Sequence, residues 1–90
     1  MAIQIIFDPA KDAANLAKHG LSLEDADRIE WDTALIEDDN RRDCGEARKM
    51  GIGYIGARLH FVVFVERDGL RRIISLRKAS NREKKIYAQT

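Results

Sequence analysis

Cysteine and proline each occur once in the 90 residues, aromatic side chains make up 7%, and the longest uninterrupted apolar run is Phe61–Val65. Each scarcity closes a class of answers. A single Cys44 excludes an internal disulfide, and with only His19 and His60 beside it no zinc-ligand spacing can be assembled. The apolar run is far shorter than the roughly 20 residues of a membrane-spanning helix. Met1-Ala2-Ile3 leads straight into a strand pattern with no leader-like segment, so the expected location is the cytoplasm, with no membrane partner. Net charge of one sign is also missing: the total is +1, which excludes a uniformly polycationic nucleic-acid binder.

What is present suffices for a folded unit. A hydrophobic fraction of 44% against 34% charged residues supports a core rather than disorder. The length fits one domain over residues 1–90. A chain of this size buries only about 60–65% of its unfolded surface, so a partner covering apolar area would add stability. The small net charge conceals a division. Residues 1–45 hold five basic and eleven acidic side chains, net −6, whereas residues 46–90 hold eleven and four, net +7. The second half can attract phosphate, unless the two halves interleave in space and cancel.

Ile3–Phe7 is a β-rich opening. Asp8-Pro9 then starts a helix, the carboxylate accepting from the first free N–H groups and the proline having no N–H to strand. Ala10, Ala13, Ala14 and Ala17 mark one helical face, and Gly20 ends it with a left-handed cap. Ser22-Leu23-Glu24-Asp25 resembles the start of a second short helix with Leu23, Ala26 and Ile29 inward. Ala34–Glu37 reads as extended and Asp38–Asp43 as a loop. Lys49–Ile55 reads as a strand bent or bulged by Gly51, Gly53 and Gly56. Leu59–Glu66 and Leu70–Leu76 are strands joined by Asp68-Gly69, the strongest hairpin signal in the chain. Ser80-Asn81-Arg82-Glu83 is a capping box for a last helix with Ile86 and Tyr87 inward.

A two-residue turn at Asp68-Gly69 sets Arg67 opposite Leu70 and Glu66 opposite Arg71, an opposite-charge pair. Extended without interruption, that register sets Val62 opposite Ser75 and His60 opposite Arg77. Alternation along the strands then gathers Arg58, His60, Ser75 and Arg77 on one face. Arginine forks suit phosphate oxygens, and an imidazole titrates near neutrality, so the patch suits metal-free RNA cleavage. Charged side chains merely covering a sheet edge would give the same pattern. His19 reads as a cation at a helix C-terminus, Glu46 as a base or an ion-pair partner, Cys44 as inert, and Trp31 as core or interface.

The chain as a whole resembles the BrnT family of type II toxins, whose fold is similar to that of the RelE ribonucleases. The resemblance runs from Phe7 to Tyr87. It is carried by Phe7-Asp8-Pro9-Ala10-Lys11, Asn15-Leu16, Lys18-His19-Gly20, Glu46-Ala47-Arg48 before Gly51, Arg72-Ile73-Ile74-Ser75-Leu76-Arg77-Lys78-Ala79, Arg82-Glu83 and Tyr87. Two positions depart from the family pattern: Gly45 stands where a second acidic residue is usual, and His60 where a less polar one is. The resemblance implies an α+β domain of RelE type: an N-terminal strand, two helices, a mainly antiparallel sheet of about four more strands, and a C-terminal helix. It implies a ribonuclease that inhibits translation and is neutralised by a DNA-binding antitoxin, with DNA reached only through that partner. Carried over by position, Glu46, Arg48, Arg58, Arg77 and Lys78 are the functional residues the resemblance implies, with His60 beside them. Taken with the hairpin patch, Arg77, Arg58, Glu46, Lys78 and His60 are the expected catalytic residues, with Arg48, Arg72, Arg82 and Ser75 expected on RNA phosphate. Neither metal nor cofactor is expected. The rival readings are a non-catalytic module binding an antitoxin-like partner, and a nucleic-acid-binding repressor domain, for which no helix-turn-helix or ribbon signature speaks.

Overall fold

The computed structural model describes residues 4–39 and 48–90. The chain runs β1 (Gln4–Ile6), α1 (Pro9–His19), a 3-10 segment (Leu23–Arg28), β2 (Leu35–Asp39), β3 (Arg48–Ile55), β4 (Arg58–Arg67), β5 (Leu70–Lys78) and α2 (Asn81–Ala88). The strands form one mixed sheet in the order β1-β5-β4-β3-β2, with β1 parallel to β5 and the other neighbours antiparallel. The fold is therefore α+β, but with one N-terminal α-helix in place of the expected two; the second is a six-residue 3-10 turn.

β4 is the central strand, and its residues from Leu59 to Val65 are buried. Its alternate side chains feed two cores. On the back face Val62 and Phe64 join Ile73 and Leu76 under Leu23, Ala26 and Ile29. On the front face Leu59, Phe61 and Val63 pack with Ile52 and Ala79, and Tyr54 meets Tyr87 of α2 edge to face at 5.6 Å. The charge division follows this architecture. The acidic half supplies the sheet's two edges and the back covering, while the basic half supplies the middle strands and α2. Cancellation is local: Lys49 of β3 pairs with Asp38 of β2 at 3.6 Å.

α1 starts and stops where its caps dictate. The Asp8 carboxylate accepts from the Ala10 N–H at 2.9 Å, and Gly20 takes φ 71°. The alanine face does not point inward, however. Ala10, Ala13, Ala14 and Ala17 are exposed, and the buried side is Asp12, Asn15 and His19, of which Asn15 is the most enclosed. Polar bonds hold this helix. One Asp12 oxygen accepts from the Ser22 hydroxyl at 2.9 Å and the Leu23 N–H at 2.7 Å, anchoring the 3-10 segment. The Asn15 amide donates to the carbonyls of Leu76 (2.8 Å) and Leu21 (2.9 Å), and its oxygen accepts from the Leu76 N–H at 3.1 Å. β1 pairs with β5 only as far as Arg72. Beyond it, Asn15 serves as a one-residue substitute for the missing strand.

The glycines of β3 do not make a bulge, because the β3–β4 register is unbroken from Arg48↔Val65 to Ile55↔Arg58. Gly53 is needed for close approach: a Cβ there would lie 2.9 Å from Ile29 Cγ2 and 3.1 Å from Ala34 Cβ. The irregularity lies instead between β4 and β5. Asp68 (φ 53°) and Gly69 (φ 77°) make the expected tight turn, and Arg67↔Leu70 and Glu66↔Arg71 pair as predicted. The register then slips. Phe64 faces Ile73 but Val63 faces Ser75, so Ile74 is an extra residue. From that point Phe61 faces Arg77 and His60 faces Lys78.

Candidate active site

The slipped register divides the predicted site. Ser75 and Arg77 lie on the front face with Val63 and Phe61, whereas His60 and Lys78 lie on the back-face parity of Val62 and Leu76. His60 is only 5% exposed, and its Nδ1 is 2.9 Å from the Arg58 carbonyl, so that nitrogen donates. The expected shared patch of Arg58, His60, Ser75 and Arg77 is thus corrected. Arg58 keeps the parity of His60 and is exposed at the start of β4. Lys78 is adjacent to Arg77 in sequence but its side chain belongs to the other face. Glu46, like Cys44, lies outside the described residues.

The front face brings the remaining candidates together. Arg48 and Arg72 both stand opposite Val65, flanking it in one row across the sheet. With Lys11 and Asp8 they line a shallow hollow of about 280 Å³. Arg77 and Arg82 line a larger cleft of about 450 Å³ between the sheet and α2. Its floor is Phe61, Ile52, Met50 and Leu35, and its rim includes Ser80, Glu83 and Glu37. Glu37 and the apolar floor of Phe61, Ile52, Met50 and Leu35 escape the sequence reading. Glu37 was legible in principle, since it alternates with Leu35 along a strand.

Arg77 is the most constrained group in the cleft. Its guanidinium carbon sits 4.3 Å from the Phe61 ring centroid. Nη1 and Nη2 each donate at 2.8 Å to one oxygen of Glu83, an end-on fork, and Nη1 also donates to the Lys78 carbonyl at 3.3 Å. Of five N–H donors, that leaves Nε–H and one Nη2–H with no acceptor among the described residues. These two form the side-on edge of the guanidinium, which matches two oxygens of a phosphate. Glu83 is fixed in turn. Its Oε1 accepts from the Ser80 N–H at 2.8 Å while Ser80 Oγ accepts from the Glu83 N–H, completing the predicted capping box. Burial pushes the Glu83 pKa up, but the hydrogen bonds from Arg77 and Ser80 and the Arg77 charge outweigh it and hold the carboxyl below its ordinary value.

Arg71 lies away from this cleft. It stacks on Trp31, 3.9 Å from the ring centroid, and pairs with Glu66 at 2.9 Å on the back face. Trp31 itself meets Phe64 edge to face at 5.2 Å and donates to the Ala26 carbonyl, so it is part of the core. Among the described residues no three His, Cys, Asp or Glu side chains cluster so as to hold a metal ion, and no helix is long and apolar enough to cross a membrane.

Residues 7–83 match the family described as ribonuclease toxin, BrnT, of type II toxin–antitoxin system. No curated protein matches the chain.

Proposed function

This chain belongs to the BrnT family of ribonuclease toxins of type II toxin–antitoxin systems, and from that premise we propose that it is a metal-independent endoribonuclease of RelE-like fold whose reacting phosphate sits in the front-face cleft. The observation that carries this reading is Arg77: a guanidinium stacked on Phe61, held at one end, with a phosphate-matching edge that meets no acceptor among the described residues.

RNA carries its own nucleophile, the 2′-hydroxyl, so the protein need only orient the chain, stabilise charge and move protons. Attack on the adjacent phosphorus expels the 5′-oxygen and leaves a 2′,3′-cyclic phosphate. Arg77 takes up the charge that grows on the phosphorane, and Arg82 supplies a second cation at the same cleft. The proton leaving the 2′-hydroxyl goes to a carboxylate, either Glu37 in the cleft or Glu46, carried over from the family pattern, and the expelled 5′-oxygen takes its proton from water. The apolar floor accommodates a base. From Arg77 to Arg72 along β5 is five residues, roughly 16 Å, so the Arg48 and Arg72 row would engage phosphates a few nucleotides away. An mRNA laid along this face would be cut in the same way, and its cleavage would inhibit translation. The cognate antitoxin would neutralise the toxin by covering the cleft, burying about 1,200–2,000 Å² in total, and DNA would be met only through that partner.

The test is cleavage of a fluorescent RNA by the purified chain in excess chelator. Arg77→Ala should lose about 3 kcal/mol of transition-state stabilisation, roughly a hundredfold in rate, and Arg77→Lys should recover only part of it, since an ammonium lacks the fork. Folded Arg77→Ala cleaving at the wild-type rate would refute the assignment. Activity lost to chelator and restored by magnesium would refute the metal-free chemistry.

A further inference from the structure

We propose that Glu83 is a positioning residue for RNA cleavage: it grips the outer end of the Arg77 guanidinium and so presents the Nε/Nη2 edge to the substrate phosphate. The inference rests on the reading of Arg77 as the phosphate-binding group. The end-on fork, the Lys78 carbonyl and the Phe61 ring fix Arg77 from three directions, and only the edge toward a ligand is left without an acceptor among the described residues. An arginine free to rotate would spend most of its time in other rotamers, and ordering it would oppose binding of the transition state. Glu83 does that ordering in advance. It can do so because the capping box makes it the best-anchored carboxylate at the cleft, its backbone and side chain both tied to Ser80. A phosphate on the remaining edge would leave the carboxylate in place, since the two anions use different donors of one guanidinium.

Glu83→Gln separates this role from folding. The amide oxygen still accepts from the Ser80 N–H, as glutamine serves at this capping-box position, but an NH₂ group now meets Arg77 where Glu83 Oε2 accepted. Steady-state cleavage of a fluorescent RNA should show kcat reduced about tenfold to thirtyfold with KM changed less than twofold. The decisive measurement is a double-mutant cycle with Arg77→Lys. In the Arg77→Lys background the Glu83→Gln change should cost less than twofold, because Glu83 acts only through the fork. An equal loss in both backgrounds, measured at a temperature where every variant is folded, would assign Glu83 to holding α2 alone and overturn the proposal. So would an unchanged or raised kcat in the single variant; a raised value would mean that Glu83 competes with the substrate. Wild-type cleavage by Arg77→Lys and Arg77→Ala alike would instead remove the premise, the role of Arg77 itself.

Discussion

Asn15 offers the most direct test of how the fold is held, because its contribution can be worked out bond by bond. Replacing it with alanine removes three hydrogen bonds. It strands the N–H and C=O of Leu76, a residue with no exposed surface, and the half-buried Leu21 carbonyl. Each buried orphan costs about 1–3 kcal/mol, and water can reach Leu21, so the loss should come to about 3 kcal/mol. A chain of this length has roughly 5–13 kcal/mol in total, so the variant should fold but with much of its margin gone. Urea unfolding followed by Trp31 fluorescence should show a midpoint lowered by about 2 M at an unchanged slope. Asn15→Asp should fare no better at neutral pH, since it keeps the acceptor for Leu76 but turns a carboxylate toward two carbonyl oxygens. The neighbouring Leu16→Ala, at a side chain 51% exposed, should shift stability by less than about 0.5 kcal/mol. If Asn15→Ala matched Leu16→Ala, the substitute-strand account of Asn15 would be wrong.

Gly53→Ala should cost about 1–3 kcal/mol, read from the same urea curves, because its methyl group would meet Ile29 and Ala34. Arg71→Ala should cost about 2 kcal/mol and alter Trp31 emission, as it removes a stacked guanidinium, yet leave RNA cleavage intact at temperatures where the variant is folded. Glu83 makes the acid limb of stability predictable in sign. Its folded-state pKa is lowered, so its contribution is present above the unfolded value near 4.3 and is lost as pH falls through the folded one. The gap in melting temperature between wild type and Glu83→Gln should therefore narrow below about pH 5 and close when Glu83 is protonated.

Local chemistry is readable from the residues. Asp8-Pro9 and Gly20 bound α1, Asp68-Gly69 makes the turn and pairs Glu66 with Arg71, and Ser80 with Glu83 caps α2. Each of these signals acts within a few residues, where backbone sterics and single hydrogen bonds decide the outcome. The failures are nonlocal. Arg72-Ile73-Ile74-Ser75 holds no glycine or proline to announce an extra residue, and the slip falls between the Val63 and Phe64 pairings, where Ile74 packs with the front-face core. That slip carries Arg77 to one face and leaves His60 on the other. The alanines of α1 suggest an inward face because apolar spacing is the usual guide, but Asn15 binds β5 through its amide, and hydrogen-bond partners 61 residues apart leave no trace in periodicity. Arg77 stands out in the sequence for its fork, whereas Glu83 reads there only as a cap, since its second bond crosses to another element.

The outer strand of the sheet bears on how copies of this chain meet. β2 is the outermost strand on its side among the described residues, and it carries exposed Glu37 and Asp38 on alternate faces. A second copy adding edge to edge would set its own Glu37 and Asp38 beside these, and Lys49 already answers Asp38. At the opposite edge the described part of β1 offers three residues, Gln4–Ile6, to pair with. Strand addition is thus opposed by like charge at one border and, over the described residues, by brevity at the other. The first of these guards is electrostatic and fades in acid or high salt, so self-association under those conditions should begin at β2.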